Sequence, residues 1–269
     1  MKVGYYQFRP LFGEVRHNLN KVVQKLSGAN ADLIILPELA FTGYYFKDRS
    51  EVRALAEEPA ESGTVAALAA LCRNRKLHLV TGFAEKVRDR YYNSALLIGP
   101  QGIVHIYRKL HLFNEEMKWF DAGDIPLRVN RIGNVRIGMM VCFDWVFPEV
   151  TRVLALQGAD IICHPSNLVL DYCQQTMLTR CLENKVYAIT ANRHGFDKRP
   201  HGNLRFTGRS QIVAPGGTLL HKASSQRDEL FVMDIDPALA RDKSITARNE
   251  VLRNRRPEFY KILSARKGK

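Results

Sequence analysis

Short and almost unbroken apolar runs recur along this 269-residue chain. A strand with one solvent-exposed face alternates apolar and polar side chains. Unbroken apolar runs are therefore typical of strands that are covered on both faces. Segments with helical spacing of apolar residues separate them. The clearest runs are residues 31–36 (ADLIIL), 136–141 (RIGMMV), 160–163 (DIIC) and 186–190 (VYAIT). We therefore predict an α/β protein whose sheets are buried.

Two predicted hairpins interrupt the alternation of strands and helices. One turns at residues 99–102 (GPQG) and the other at residues 215–217 (PGG), each between strand-like segments. A simple doubly wound sheet is therefore excluded, and a sandwich of sheets covered by helices is favoured. No internal repeat or linker is found, so residues 1–269 are predicted to form a single domain. Helices are predicted over residues 14–26, 52–71, 148–157 and 172–184.

The positive charge of the chain raises the question of nucleic-acid binding. Lys and Arg total 40 and Asp and Glu total 27, so the formal net charge is +13. Nucleic-acid-binding proteins cluster such charge on one face or carry a known motif, and no helix-turn-helix, RRM or KH signature occurs. Residues 241–269 hold ten Lys or Arg against three acids, which is +7 of the +13. We therefore expect no nucleic-acid partner, an expectation that salt-dependent affinity for duplex DNA would contradict.

The cysteines and the first residues indicate a compartment. The five cysteines are odd in number and form no CxxC pair, which argues against a disulfide framework and against a zinc ribbon. The opening sequence MKVGYYQFRP has no apolar h-region, and no run of about 18 apolar residues could span a membrane. We expect a cytoplasmic protein with reduced thiols, no metal and no membrane association. The cysteines are Cys72, Cys142, Cys163, Cys173 and Cys181.

Three chemically complementary residues come just after predicted strands. They are Glu38, Lys109 and Cys142. Because loops converge at the carboxyl ends of strands in open α/β sheets, these side chains can meet there. The carboxylate could take the thiol proton, and the ammonium could stabilise the thiolate and then an oxyanion. Taken singly, each is better explained as a solvated loop residue or, for the cysteine, as a core thiol, so none of them alone supports a functional role.

The segment after Cys142 could supply an oxyanion hole. A helix is predicted over residues 148–157, and the N-terminus of a helix favours negative charge. The Phe143 N–H is the expected backbone donor. His111 and His164 raise a Cys–His hydrolase as an alternative, although neither histidine is tied in the sequence to a third, orienting group.

The segments that carry these residues resemble a known family. LPELAFTGY (36–44), YRKLHLF (107–113) and VCFDWVFPE (141–149) strongly resemble the three signature blocks of the nitrilase superfamily, the carbon–nitrogen hydrolases. The resemblance implies a four-layer αββα sandwich of two mixed β-sheets flanked by helices. Further matches extend it over nearly the whole chain; they are YNSALLIGPQG (92–102), FDAGD (120–124), HPSN (164–167), RCLENKVYAITANR (180–193) and FTGRSQI (206–212).

The resemblance also implies roles for the site residues. Glu38 would be the general base, Lys109 would support the tetrahedral intermediate, and Cys142 would be the nucleophile. Many members carry a second glutamate seven residues after the lysine, which is Glu116 here, with the neighbouring Glu115 as the alternative. Glu116 would hold Lys109 and help to position substrate or water, unless it lies on a solvated helix face. The implied reaction needs no metal and no organic cofactor.

Residues around the nucleophile bear on the substrate. Relatives that act on carboxylate-bearing substrates often carry Arg three or four residues after the cysteine, where this chain has Trp145 and Val146. We therefore expect a small, neutral acyl group. True nitrilases typically read Cys-Trp-Glu, whereas this chain reads Cys142-Phe143-Asp144, which favours amides; small nitriles and N-carbamoyl amines stay as alternatives. The predicted pocket residues are Tyr44, Phe113, Phe143, Trp145 and Asn167.

The basic segment 241–269 bears on assembly. Members of this family commonly dimerise with the C-terminal tail reaching the partner, and apolar residues between 249 and 269 could dock in that way. A homodimer or a higher homo-oligomer is therefore expected, and the alternative for the tail is a solvated terminus. A catalytically inactive family member that serves as a scaffold is a further alternative, against which the intact Glu38, Lys109 and Cys142 argue.

Overall fold

The computed structural model describes residues 1–265, in which strands and helices alternate. The strands are β1 (Lys2–Gln7), β2 (Leu33–Ile35), β3 (His78–Val87), β4 (Arg90–Gly99), β5 (Gly102–Arg108), β6 (Asn130–Ile132), β7 (Val135–Met139), β8 (Ile161–Ser166), β9 (Tyr187–Asn192), β10 (His194–Arg199), β11 (Gly202–Thr207), β12 (Gln211–Val213), β13 (Leu219–Lys222), β14 (Glu229–Asp234), β15 (Ser244–Thr246) and β16 (Asn249–Glu250). The helices are α1 (Val15–Leu26), α2 (Arg49–Leu55), α3 (Gly63–Arg75), α4 (Glu116–Trp119), α5 (Pro148–Leu156) and α6 (Tyr172–Asn184). Short 3₁₀ helices span Cys142–Val146, Pro237–Ala240, Pro257–Phe259 and Lys261–Ser264. Within the described chain, no helix combines the length and the apolar character needed to cross a membrane.

Two six-stranded mixed sheets pack against each other. The first has the order β14-β1-β2-β3-β4-β5, and the second has the order β13-β12-β9-β8-β7-β6. The central strands are parallel, namely β1 to β3 in one sheet and β7 to β9 in the other, and the outer strands pair antiparallel. Helices α1 and α3 pack on the first sheet, and α5 and α6 pack on the second. The predicted four-layer αββα sandwich is confirmed.

Side-chain alternation explains why the central strands are mostly apolar on both faces. In β2, Leu33 and Ile35 belong to the core shared with the second sheet, whereas Ile34 packs with α1 and α3. In β1, Tyr5 and Tyr6 divide between the two cores in the same way. Because successive side chains point to opposite faces and both faces are covered, most positions need an apolar side chain.

One predicted helix is wrong. The sequence predicts a single helix over residues 52–71, but the chain forms α2 and α3 there, with a loop between them. Ser62 starts α3 by capping its N-terminus with its side chain. The Glu57 carboxylate accepts a hydrogen bond from the Ser62 hydroxyl, and Glu57 pairs through its backbone with Glu85 of β3. These polar contacts outweigh the helical propensity of an Ala- and Leu-rich segment.

The β10–β11 hairpin is an element that the sequence did not predict. Most of its exposed side chains are polar, so the sequence lacks the apolar alternation that predicts a strand. Asp197 and Phe206 are buried on its inner face. Asp197 pairs at 2.8 Å with Arg193, which is fully buried, and Phe206 packs edge-on against Tyr44 with ring centroids 5.9 Å apart. The hairpin is therefore anchored beside a residue that was predicted to line the substrate pocket.

The C-terminal segment lies against α5. Tyr260 and Leu263 line a cavity together with Arg152 of α5. Apolar side chains nevertheless stay exposed there, with Phe259 69% and Ile262 81% accessible. The last four residues of the predicted tail lie outside the described residues. The described part of the tail therefore presents apolar surface beside a helix of the second sheet's outer layer.

Candidate active site

Glu38, Lys109 and Cys142 are brought together where the two sheets pack. Glu38 follows β2, Lys109 follows β5, and Cys142 follows β7 and begins a 3₁₀ helix. Strand β5 runs parallel to β2, because two antiparallel pairings separate it from β3. The carboxyl ends of β2 and β5 therefore lie at the same edge of the first sheet, and β7 of the second sheet supplies the cysteine.

Lys109 lies between two buried carboxylates. Its Nζ is 2.7 Å from Glu38 Oε1 and 2.9 Å from both oxygens of Glu116. Burial would lower the pKa of Lys109, but the negative charges of Glu116 and Glu38 raise it above its usual value. Burial also raises the pKa of Glu38, against the opposing charge of Lys109. The cluster therefore holds a charged lysine beside a carboxylate that is a stronger base than it would be in water.

The structure distinguishes the two candidate acidic residues near Lys109. Glu116 begins α4, is 2% exposed, and also accepts a hydrogen bond from the Phe113 N–H at 3.1 Å. Glu115 is exposed and pairs with Lys118 at 2.6 Å. Glu116 is thus the residue that contacts Lys109, whereas Glu115 lies on the solvated face.

The Cys142 thiol is buried, and its surroundings favour the neutral form. Burial raises its pKa well above the usual value; the negative charge of Glu38 adds to this effect, and Lys109 opposes it. The sequence suggested that a nearby ammonium would favour a thiolate, but burial and the carboxylates outweigh the ammonium. The thiol therefore needs a base inside the site before it can attack.

Cys142 adopts a left-handed backbone conformation that His164 helps to hold. Its φ is 42°, a region that costs an L-residue roughly 1–2 kcal/mol. The Cys142 carbonyl lies 2.9 Å from His164 Nε2, and Thr190 Oγ1 lies 3.1 Å from His164 Nδ1. A carbonyl only accepts, so Nε2 donates and Nδ1 accepts from the Thr190 hydroxyl. Burial lowers the pKa of His164 to about 4, so the ring is neutral.

The second histidine of the Cys–His alternative is held by Asp144. His111 Nδ1 is 2.8 Å from Asp144 Oδ1, and the ring stacks on Phe147 at a centroid distance of 3.6 Å. Asp144 also accepts hydrogen bonds from the Tyr107 hydroxyl at 2.7 Å and from the Val141 N–H at 2.9 Å. Asp144 therefore ties the end of β5 to the cysteine segment. Neither histidine contacts the thiol; His164 contacts the Cys142 carbonyl instead.

A small cavity opens at the thiol. Its empty volume is about 290 Å³, part of which is open to solvent. A larger groove of about 1050 Å³ runs along β10–β11, and Glu38, Lys109 and Cys142 are not among its lining residues, so size alone does not identify the site. The walls at the thiol are mostly apolar, and no charged side chain is among them. The lining residues are Phe113, Cys142, Phe143, Trp145, Asn167, Leu168, Val169 and Leu170.

Four of the five predicted pocket residues line this cavity, namely Phe113, Phe143, Trp145 and Asn167. Tyr44 is not in the lining; its hydroxyl is instead near Glu116, and burial together with that negative charge raises the pKa of Tyr44. Asn167 Nδ2 donates to the Glu38 carbonyl oxygen at 2.8 Å, and the Asn167 N–H lies close enough to the Cys142 thiol to favour its ionised form. Asn167 therefore connects the Glu38 segment to Cys142 as well as lining the cavity.

Two residues that contact Glu38 were not identified from the sequence. Asn93 Nδ2 donates to Glu38 Oε1 at 2.7 Å. Gly82 lies so close that a Cβ there would be 2.3 Å from the Glu38 Cα. The available signal was alternation in β4, where Asn93 shares the inward face with Ala95 and Leu97. A polar residue on a buried strand face is informative because it needs a partner.

The chain is similar to known proteins along nearly its whole length. The family model described as carbon–nitrogen hydrolase matches residues 2–243. A nitrilase from Pyrococcus abyssi is 42% identical over 263 residues, which cover 97% of this chain and 99% of the relative. An (R)-stereoselective amidase from Pseudomonas sp. is 32% identical over 242 residues, which cover 88% of this chain and 85% of the relative.

Solved structures with the same fold include two hydrolases. A carbon–nitrogen hydrolase from Helicobacter pylori G27 has a TM-score of 0.88 at 24% identity, covering 99% of both chains. An amidase from Nesterenkonia sp. AN1, determined with acrylamide added at its active-site cysteine, has a TM-score of 0.80 at 24% identity, covering 98% of this chain and 99% of that one. At this level of identity the two structures support the fold.

Proposed function

The chain belongs to the carbon–nitrogen hydrolase family of the nitrilase superfamily, and on that premise we propose that it hydrolyses small, neutral aliphatic amides to a carboxylic acid and ammonia. One observation carries the proposal. Lys109 Nζ lies 2.7 Å from Glu38 Oε1, and both charges act on a thiol that opens into a small apolar cavity. A base, a cation and a nucleophile are the groups that acyl transfer requires.

Formation of the thioester begins with proton transfer. Glu38 takes the proton of Cys142 Sγ, and the sulfur attacks the amide carbonyl carbon. The oxyanion that forms accepts hydrogen bonds from Lys109 Nζ and from the Phe143 N–H, which lies in the first turn of its 3₁₀ helix and has no acceptor within that helix. The carbon–nitrogen bond then breaks, Glu38 gives its proton to the departing nitrogen, and ammonia leaves.

Hydrolysis of the thioester reuses the same groups. A water molecule gives a proton to Glu38 as it attacks the thioester carbon, and Lys109 with the Phe143 N–H again holds the oxyanion. The carbon–sulfur bond breaks, the sulfur recovers the proton, and the carboxylic acid leaves. Glu116 keeps Lys109 charged and in place throughout.

The cavity supports a small and neutral acyl group. Trp145 lies in its wall and Val146 follows, so this part of the wall offers no cation to a substrate carboxylate. The empty space at the thiol, about 290 Å³ with the part open to solvent, is much smaller than the 1050 Å³ of the groove along β10–β11, which favours a compact substrate. An uncharged substrate of a few carbon atoms matches both properties.

Small nitriles are the second candidate substrates. The 42% identity to a nitrilase from Pyrococcus abyssi favours them, whereas the Cys142-Phe143-Asp144 segment favours amides. N-carbamoyl amines form a third candidate class, since N-carbamoylputrescine amidase from Arabidopsis thaliana is 28% identical over 269 residues. All three classes begin with attack of the Cys142 sulfur on the carbon bonded to nitrogen. An amide then leaves a thioester, a nitrile first leaves a thioimidate, and a carbamoyl group leaves a thiocarbamate on the sulfur.

A comparison of substrates tests the proposal. Ammonia release is measured for short aliphatic amides, for nitriles of equal chain length, and for N-carbamoyl amines. We expect the highest kcat/KM for the amides, and a fall when a carboxylate is added close to the amide. Faster turnover of the nitriles or of the carbamoyl compounds would replace the amide assignment by that class. Absence of ammonia from every compound would argue for an inactive scaffold.

We further propose a homodimer in which the C-terminal tail contacts the partner. The exposed Phe259 and Ile262 are the apolar side chains that such a contact would cover. We expect the full chain to sediment as a dimer, and a chain ending at Arg248 to sediment as a monomer. An unchanged dimer after truncation would remove the role of the tail, and a monomeric full chain would contradict the homodimer.

A cytoplasmic location completes the proposal. All five cysteines are free and buried. Unpaired thiols persist in reducing compartments, whereas secreted proteins tend to oxidise them. Labelling the unfolded chain from a cell extract with a thiol reagent should therefore modify all five cysteines without prior reduction.

A further inference from the structure

We propose that Asn93 is a positioning residue that, together with Lys109, occupies Oε1 of Glu38 and so leaves Oε2 as the oxygen that exchanges protons. This inference rests on the function proposed above. It concerns the two oxygens of the base, which the surrounding hydrogen bonds make unequal. A side chain outside the predicted site would thereby decide which atom of the base reacts.

The two oxygens of Glu38 have different surroundings. Oε1 receives two hydrogen bonds, one from Lys109 Nζ and one from Asn93 Nδ2, each at 2.7 Å. Oε2 is buried and has no hydrogen-bond partner in the described part of the chain. Buried carboxylate oxygens are rarely left in this state, because desolvation without a partner costs free energy. Oε2 is an exception because it must receive the thiol proton, and a hydrogen-bond donor already bound to Oε2 would block that transfer.

The orientation of the Asn93 amide follows from its neighbour. Amide nitrogen and oxygen atoms are assigned from the hydrogen bonds they make. If Asn93 were turned over, its Oδ1 would face the Glu38 carboxylate, and two acceptors would repel each other. The nitrogen must therefore point at Glu38, which leaves Oδ1 buried without a partner. The hydrogen bond from Nδ2 to Glu38 is thus made while Oδ1 stays without a hydrogen-bond partner.

Asn93 also places the second catalytic group. Its backbone carbonyl accepts a hydrogen bond from the Lys109 N–H at 2.9 Å. One residue of β4 therefore holds the carboxylate of Glu38 by its side chain and the backbone of Lys109 by its carbonyl. The separation of base and cation depends on the register between β4 and β5. This double contact distinguishes Asn93 from an ordinary buried amide.

Two substitutions of Asn93 test the proposal. Asn93→Leu keeps the size of the side chain and removes the hydrogen-bond donor. Asn93→Ser has a hydroxyl that is too short to reach Glu38 Oε1, and its smaller side chain carries less risk of overpacking. With the best amide substrate, we expect kcat to fall by about 10²-fold, as displaced catalytic groups commonly cause, and KM to change by less than about 3-fold. The Asn93 amide also favours ionised Glu38, so its loss raises the pKa of Glu38. The acid limb of kcat/KM should therefore move to higher pH, because the base must be ionised.

Asn184→Leu is the matched control. Asn184 is also fully buried, donates at 2.9 Å to the Arg180 carbonyl within α6, and leaves its own Oδ1 without a partner. It should lower stability and leave the pH profile unchanged. A folded Asn93 variant with the wild-type kcat or pH profile, or a control with the same kinetic changes, would overturn the proposal. So would a failure of both Asn93 variants to fold, because the residue would then serve the fold. An inactive wild-type chain would instead refute the proposed function.

Discussion

Replacement of Cys142 by alanine should lower the rate of ammonia release by at least about 10⁴-fold, because loss of a catalytic nucleophile typically lowers kcat by that much or more. The remaining groups could still polarise an amide, but no atom would be left to form the thioester. The fold should survive, because Cys142 is small and lies at the wall of a cavity, where alanine leaves little additional empty space. Circular dichroism and ammonia release, measured on the same preparation, check both statements.

Cys72→Ala is the matched control for this substitution. Cys72 is a buried thiol of α3, in the apolar cluster on the far side of the first sheet, and burial raises its pKa to about 12. Its loss should leave kcat and KM unchanged. Equal ammonia release by wild type and Cys142→Ala would place the nucleophile elsewhere, and the proposed function would then fail.

Much of the fold could be predicted from the sequence because it depends on local burial. The run at residues 31–36 contains β2, and the predicted helix 172–184 coincides with α6. Prediction failed where contacts between particular polar side chains determine the path of the backbone. The loop that separates α2 from α3 is fixed by Glu57 and Ser62, and the buried pair of Arg193 with Asp197 supports β10. Apolar periodicity carries no information on such contacts.

The proposed catalytic residues could be anticipated for a different reason. Glu38, Lys109 and Cys142 come just after strands, and their sequence blocks resemble those of a known family, so their proximity did not require knowledge of the packing. Asn93 lies 55 positions from Glu38, and their contact depends on how β3 and β4 pair. The sequence shows a polar residue in a buried strand, but the identity of its partner needs the register of the sheet.

Lys109→Met should have the largest combined effect on stability and activity. The substitution leaves Glu38 and Glu116 buried with no cation between them, and breaking a buried ion pair from one side typically costs about 3–5 kcal/mol of unfolding free energy. The transition state also loses a charged donor, and removal of one oxyanion donor lowers kcat by about 10²–10³-fold. Urea unfolding and amide hydrolysis measure the two effects separately. Lys118→Met is the exposed control, and it should change stability by less than about 0.5 kcal/mol.

The pH dependence of the Lys109→Met variant identifies the cause of its instability. Burial already raises the pKa of Glu38 above its ordinary 4.5, and loss of the lysine charge must raise it further. A carboxyl group whose pKa is higher in the folded state is neutral in both states at low pH, and it destabilises the fold as pH rises from the unfolded value towards the folded one. The stability lost by Lys109→Met should therefore be smaller near pH 5 than near pH 8.

Adding Glu116→Gln to Lys109→Met separates stability from catalysis. The second substitution removes one of the two uncompensated carboxylates, so the double variant should recover part of the lost unfolding free energy. Activity should stay low, because neither change restores a cation near the oxyanion. Recovery of both properties would mean that Lys109 acts only by neutralising Glu116. If Lys109→Met alone loses the same stability at pH 5 and at pH 8, lost packing of the lysine side chain, and not buried charge, destabilises that variant.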